Sequence, residues 1–158
     1  MKKVLAFAVV VLWTSSVFAA EPFQASLTPD IAIHGSDVMI EGLVLSIWGE
    51  NPQRALALGL ANGSTGDSSG FTWSWLLNYA DSYKGVQWAA INYNKQDFLG
   101  WQSGCVNYAG GSCKGLQTGW VNFAGDLNGL QLGLLNLADR VDQGVQIGIL
   151  NFMKENEE

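Results

Sequence analysis

Two cysteines, one histidine and two recurring carboxamides have types and spacings that could do chemistry. His34 lies in Asp30-Ile-Ala-Ile-His-Gly-Ser-Asp37, and a histidine between two carboxylates could serve acid–base or metal chemistry. It is the only His in the chain, so a His-based metal site or a catalytic triad has nothing to complete it. The segment reads as surface. Cys105 and Cys113 stand eight apart and lack the Cys-x-x-Cys spacing of a redox pair. In an exported protein they are expected to form a disulfide, closing a small loop and adding about 2–3 kcal/mol. Gly-x-Gln-x-Gly recurs, but without the Gly-Lys-Ser/Thr that completes a phosphate loop. No catalytic residue, metal or cofactor is expected.

The carboxamides recur in a pattern. Gly144-Val-Gln-Ile-Gly-Ile-Leu-Asn151 repeats Gly129-Leu-Gln-Leu-Gly-Leu-Leu-Asn136, Gly115-Leu-Gln-Thr-Gly-Trp-Val-Asn122 and Gly100-Trp-Gln-Ser-Gly-Cys-Val-Asn107. Gly85-Val-Gln-Trp-Ala-Ala-Ile-Asn92 fits as well. Weaker copies start at Phe71, Ala55 and Gly42, giving eight blocks about 15 residues apart. The third place holds Gln87, Gln102, Gln117, Gln131 and Gln146. The eighth holds Asn62, Asn78, Asn92, Asn107, Asn122, Asn136 and Asn151. Rows of buried amides usually satisfy backbone groups, so both columns are read as structural ladders rather than ligand sites. Tyr79, Tyr93, Tyr108 and Phe123 follow the Asn in successive blocks. They are read as core, against the alternative of an exposed strip that binds carbohydrate or a partner.

Charge is placed as regularly. Only 14% of residues are charged, where roughly 25% is usual, while Gly reaches 19 of 158. Between Gly42 and Met153 the charges are Glu50, Arg54, Asp67, Asp81, Lys84, Lys95, Asp97, Lys114, Asp126, Asp139, Arg140 and Asp142, and none lies inside a block. The blocks are therefore buried or otherwise screened from water, and the connections are wet. A net charge of −6 excludes a nucleic-acid binder, which needs a basic face. The aromatics and low charge exclude a disordered chain.

These columns need an element that repeats them. Val145, Ile147 and Ile149 alternate with Gly144, Gln146 and Gly148, which is the period of a strand. The phase slips at Ile149-Leu150, as a corner or bulge after the second Gly would produce. A helix would lose about 1 kcal/mol at each Gly. Two all-β architectures remain. In a β-solenoid of about eight coils of ~15 residues, equivalent Gln and Asn residues stack into ladders. Single apolar residues between blocks (Tyr83, Phe98, Cys113, Leu127, Val141) would line a third inward side. The alternative is an antiparallel β-meander or outer-membrane β-barrel, built from strands of about 9–11 residues. The solenoid is preferred, because antiparallel neighbours gain nothing from repeating the same polar letters.

At its start the chain reads as a secretory signal peptide over residues 1–19. Lys2-Lys3 precede the apolar Val4–Trp13, and Val17-Phe18-Ala19 offer small residues for cleavage. Its removal leaves 6 basic and 14 acidic residues, a net charge of −8. Residues 20–41 are then an N-terminal cap segment, 42–153 the repeat domain and 154–158 a charged tail. The repeats resemble a family of exported bacterial proteins, the surface repeat-containing proteins described in leptospires and other Gram-negatives, whose hallmark is tandem Gly-[Val/Leu]-Gln-x-Gly-[Leu/Val/Ile]-[Val/Leu/Ile]-Asn copies. The resemblance covers Gly42–Asn151 and is strong from Gly85 onward. Early copies depart from it: Gly49 stands for Asn, and Val44, Ala57 and Trp73 stand for Gln. It implies a non-enzymatic envelope protein of the periplasm, outer membrane or cell surface, and it supplies no catalytic residues. The partner is expected to be another protein or envelope component, with no nucleic acid and with membrane association left open.

Overall fold

The computed structural model describes residues 20–155, which form β-strands joined by short turns and no helix. In chain order these are β1 (Glu21–Thr28), β2 (Ile31–Ala32), β3 (Ile40–Asn51), β4 (Arg54–Trp88), β5 (Ile91–Asn94), β6 (Phe98–Val141) and β7 (Val145–Glu155). The expected signal peptide lies outside the described residues. β4 and β6 hold 35 and 44 residues, longer than one repeat, so each winds around the molecule more than twice. Every pairing along the stack is parallel, as in Asn92 beside Asn107 and Gln87 beside Gln102. The chain is thus a β-solenoid of about nine coils, and the barrel alternative falls.

The ninth coil lies in what was expected to be a cap. β1 pairs in parallel with β3, with Phe23 beside Leu43 and Gln24 beside Val44. Pro22 takes the place of the repeat's Gly and Gln24 that of its Gln. Only residues after Thr28 cap the end: β2 turns back antiparallel onto β1, and the Gly35–Val38 turn follows. A second correction concerns the block placed at Phe71. Gly70 is the residue stacked between Ala55 and Gly85, 15 positions from each, so this coil starts at Gly70 and carries one extra residue before Asn78. Thr72, not Trp73, fills its Gln place and is buried. At the other end β7 runs to Glu155, two residues past the expected boundary of the repeat domain.

The coil closes because its first Gly permits a sharp corner. Gly85, Gly100 and Gly115 have φ of 140°, 137° and 135°, where a side chain is strained. A Cβ on any of them would also strike the carbonyl of the equivalent Gly one coil earlier. The interior is narrow and mostly polar. Each regular coil sends in its Gln, its Asn, an Ala such as Ala80, Ala109, Ala124 or Ala138, and one larger apolar residue. Tyr83, Phe98, Cys113 and Leu127 form that last column as expected, with Val141 packed against it.

Candidate interaction surface

Both amide columns are ladders, and they run in opposite directions. Asn78, Asn92, Asn107, Asn122 and Asn136 each donate from Nδ2 to Oδ1 of the Asn on the following coil, at 2.7–2.9 Å. Gln102, Gln117, Gln131 and Gln146 each donate from Nε2 to Oε1 of the Gln on the preceding coil, at 2.7–3.2 Å. Backbone carbonyls fix each direction. Asn107 Nδ2 also reaches Thr118 O at 2.9 Å, and Gln117 Nε2 reaches Phe123 O at 3.0 Å. Asn62 joins through an intermediary: its Nδ2 donates to Ser74 Oγ at 2.7 Å, and that hydroxyl donates to Asn78 Oδ1 at 2.6 Å. The extra residue of the Gly70 coil puts Ser74 between them. The ladders sit inside, so they set the coil spacing and leave recognition to the outward residues.

The cysteines do not pair. Cys113 is buried in the apolar column between Phe98 and Leu127, while Cys105 lies on a different side of its coil, among outward-facing residues of its block. A sequence separation of eight carries the chain around a corner of the coil. Burial pushes the Cys113 thiol up to about 12. Tyr83, which shares its hydroxyl with Thr72 Oγ1 at 2.6 Å, is raised to about 12 by the same cause. Neither is an ionisable group at neutral pH. His34 serves through its backbone: its N–H donates to Gln24 Oε1 at 3.0 Å, and Gln24 Nε2 donates to its carbonyl at 2.9 Å. Among the described residues no three His, Cys, Asp or Glu side chains gather at one point.

The tyrosine column corrects the expectation of core packing. Tyr93, Tyr108 and Phe123 stack on the outside, rings 4.9 and 4.7 Å apart and within 11° of parallel. Tyr79 leans away across Gly63, where no side chain would fit. It donates to Glu50 Oε2 at 2.7 Å and accepts from Trp48 Nε1 at 3.1 Å. Burial, helped by Glu50, raises its hydroxyl to about 12.

These rings belong to a larger surface. In each regular block the Gln and Asn point inward, so the alternating apolar residues point outward. Trp75, Trp120 and Ile149 are 69%, 65% and 78% exposed. The blocks are therefore not buried whole, and half of each forms the outer wall. The wall has two kinds of side. The two made by the blocks and the Tyr column carry Leu, Ile, Val, Trp and Tyr, and among the charges only Glu50, held by Tyr79. The third, made by the connections, carries the other eleven charges between Gly42 and Met153. There charged and neutral residues alternate along each column. Arg54, Lys84 and Lys114 share a column with Ser69 and Leu99 between them, and Asp67, Asp97 and Asp126 share another with Ser82 and Ser112 between them. Like charges are thus two coils apart and never stacked on adjacent coils. Arg140 bridges to Asp126 on the preceding coil at 2.9 Å. The sequence showed which residues alternate but not which set faces in. The 15-residue spacing of Gly70 from Gly85 was the available signal for its coil.

Comparison with protein-family models, with curated proteins and with solved structures gives no match.

Proposed function

We propose that this chain is a non-enzymatic scaffold of the bacterial envelope that docks an apolar partner on the two apolar sides of its solenoid. One observation carries this reading: every charge of the repeat region except Glu50, which is bonded to Tyr79, lies on one side, while large apolar side chains stand exposed on the other two. A contiguous apolar surface of that kind costs free energy in water, and in soluble proteins it marks an interaction site. The internal ladders support the reading, since a wall fixed from inside can present a regular surface without outward residues contributing to its register. The leader expected at residues 1–19 and the resemblance to exported surface proteins supply the address.

Cell fractionation tests both parts. The protein is expected outside the cytoplasm and sedimenting with envelope material. Trp120→Glu and Leu134→Glu change residues that are 65% and 53% exposed, so folding should be kept while the protein shifts to the soluble fraction. Retention in the cytoplasm, or an unchanged distribution of the folded double variant, refutes the proposal.

A further inference from the structure

The two ends of the solenoid are finished differently. At the N-terminal end Gln24 closes on the backbone of His34, and Asn51 Nδ2 donates to Gly35 O at 2.8 Å and to Val38 O at 3.2 Å. β2 covers part of the edge of β1. At the C-terminal end β7 is last in the sheet, and among the described residues no strand lies against its outer edge. Its Val145, Ile147, Ile149, Leu150, Phe152 and Met153 are all exposed, whereas Leu130, Leu132, Leu135 and Leu137 one coil back are partly buried.

The ladders end on β7 with groups of opposite kind. Gln146 donates to Gln131 Oε1 at 2.8 Å, and among the described residues no following coil gives its own Oε1 a donor. Asn151 accepts from Asn136 at 2.7 Å, and its Nδ2 donates back to Gly148 O at 3.2 Å. An acceptor without a donor among the described residues and an amide held only by its own strand therefore stand five residues apart on one edge. A parallel ladder on each column alone leaves this pair; two ladders of the same direction would leave two donors or two acceptors.

We propose that a second copy of this chain covers this edge, β7 against β7, antiparallel, about a two-fold axis between Gly148 and Ile149. β2 and the Gly35–Val38 turn lie over part of the N-terminal end, which disfavours head-to-tail growth. With the axis there, Gln146 lies opposite Asn151 of the second copy, and Oε1 accepts from Nδ2. The symmetry repeats this bond, as an isologous interface requires. The same register sets Val145 against Phe152 and Ile147 against Leu150, so apolar meets apolar. The corner at Gly148 lets Gln146 and Asn151 both face inward despite their odd spacing, and the axis passes beside it. A register one residue away sends one carboxamide outward and loses the match.

Light scattering and native mass spectrometry of the purified protein test this. A dimer is expected, and Ile149→Lys, which puts two ammonium groups beside the axis, should give a folded monomer by circular dichroism. Two further variants keep the ladder bonds inside each chain and spoil those between chains, Asn151→Asp giving up only the exposed bond to Gly148 O. Gln146→Lys still donates to Gln131 but offers Asn151 a second donor. Asn151→Asp still accepts from Asn136 but faces the Gln146 oxygen. Each alone should weaken dimerisation about tenfold or more. The double variant pairs ammonium with carboxylate across the axis and should recover most of the loss. A monomeric or open-ended wild type, a dimer that survives Ile149→Lys, or a double variant no better than its parents overturns the proposal.

Discussion

Asn107 donates through Nδ2 to Oδ1 of Asn122, 2.8 Å away on the following coil. The same Asn107 accepts from Asn92 at 2.9 Å, so its side chain is a link between two neighbours rather than an end. Asn107→Ala would leave a buried donor on Asn92 and a buried acceptor on Asn122 each one partner short. At about 1–3 kcal/mol for each unsatisfied group, a loss of about 2–4 kcal/mol in urea unfolding is expected. Asn151→Ala, at the exposed end of the ladder, should cost less than about 1 kcal/mol in the monomer. Equal effects at the two positions would mean the ladder does not act as linked bonds.

Gly100 and Gly66 separate two reasons for glycine. Gly100 has φ of 137°, and a Cβ there would meet the Gly85 carbonyl; Gly66 has φ of 58° with open space around it. Gly100→Ala therefore combines backbone strain with a steric clash that the coil stacking cannot relieve. Gly66→Ala carries only the left-handed strain, about 1 kcal/mol. Thermal denaturation should show Gly100→Ala as much the more destabilised of the two, with a loss of several kcal/mol or no folded protein.

Much of this was legible in the sequence because polar residues rarely repeat without a reason. The Gln and Asn columns, the apolar column from Tyr83 to Leu127 and the preference for parallel coils all follow from asking what equal spacing stacks. Three features were not legible, each for a physical reason. β1 escaped because Pro22 replaces the corner Gly and no Asn follows, leaving Gln24 as the sole mark of a coil. The coil at Gly70 was displaced because an extra residue reverses which side chains face inward between two correct ends, so Thr72 and Ser74 are buried while Trp73 and Trp75 are exposed. The exposure of the apolar set was hidden because alternation distinguishes two sides without saying which is inside. Here the interior is too narrow for Leu or Trp, and amides that bond to their own copies fill it.

Alkaline pH should weaken the fold through its buried acids. Cys113 is raised from 9.0 to about 12 and Tyr83 from 10.0 to about 12, both chiefly by burial. A raised acid favours the neutral form in the folded state. Its contribution is fully present below the unfolded value and is lost as pH climbs through the folded one. Stability should thus fall as pH rises from about 9 to about 12. Cys113→Ala should remove the first part of that fall, whatever it costs in packing. Thiol titration should find Cys105 first and Cys113 only on unfolding, and two equally reactive thiols in the native state would contradict the burial.

The spacing of like charges two coils apart on the third side predicts a salt-dependent effect at a half-buried serine. Ser82 lies between Asp67 and Asp97 in one column, one coil from each. Ser82→Asp would stack three carboxylates at the strand spacing of about 4.8 Å, where directly opposed like charges repel. Ser82→Lys would place a cation between two anions at the same spacing. The expected cost of the first is about 0.5–1 kcal/mol at low ionic strength, with a smaller gain for the second. Both effects should shrink as salt screens the column. Urea unfolding of the two variants at low and high ionic strength gives the answer. If both shift stability equally and independently of salt, the separation of like charges has no role in holding neighbouring coils in register, and the column is explained by side-chain size alone.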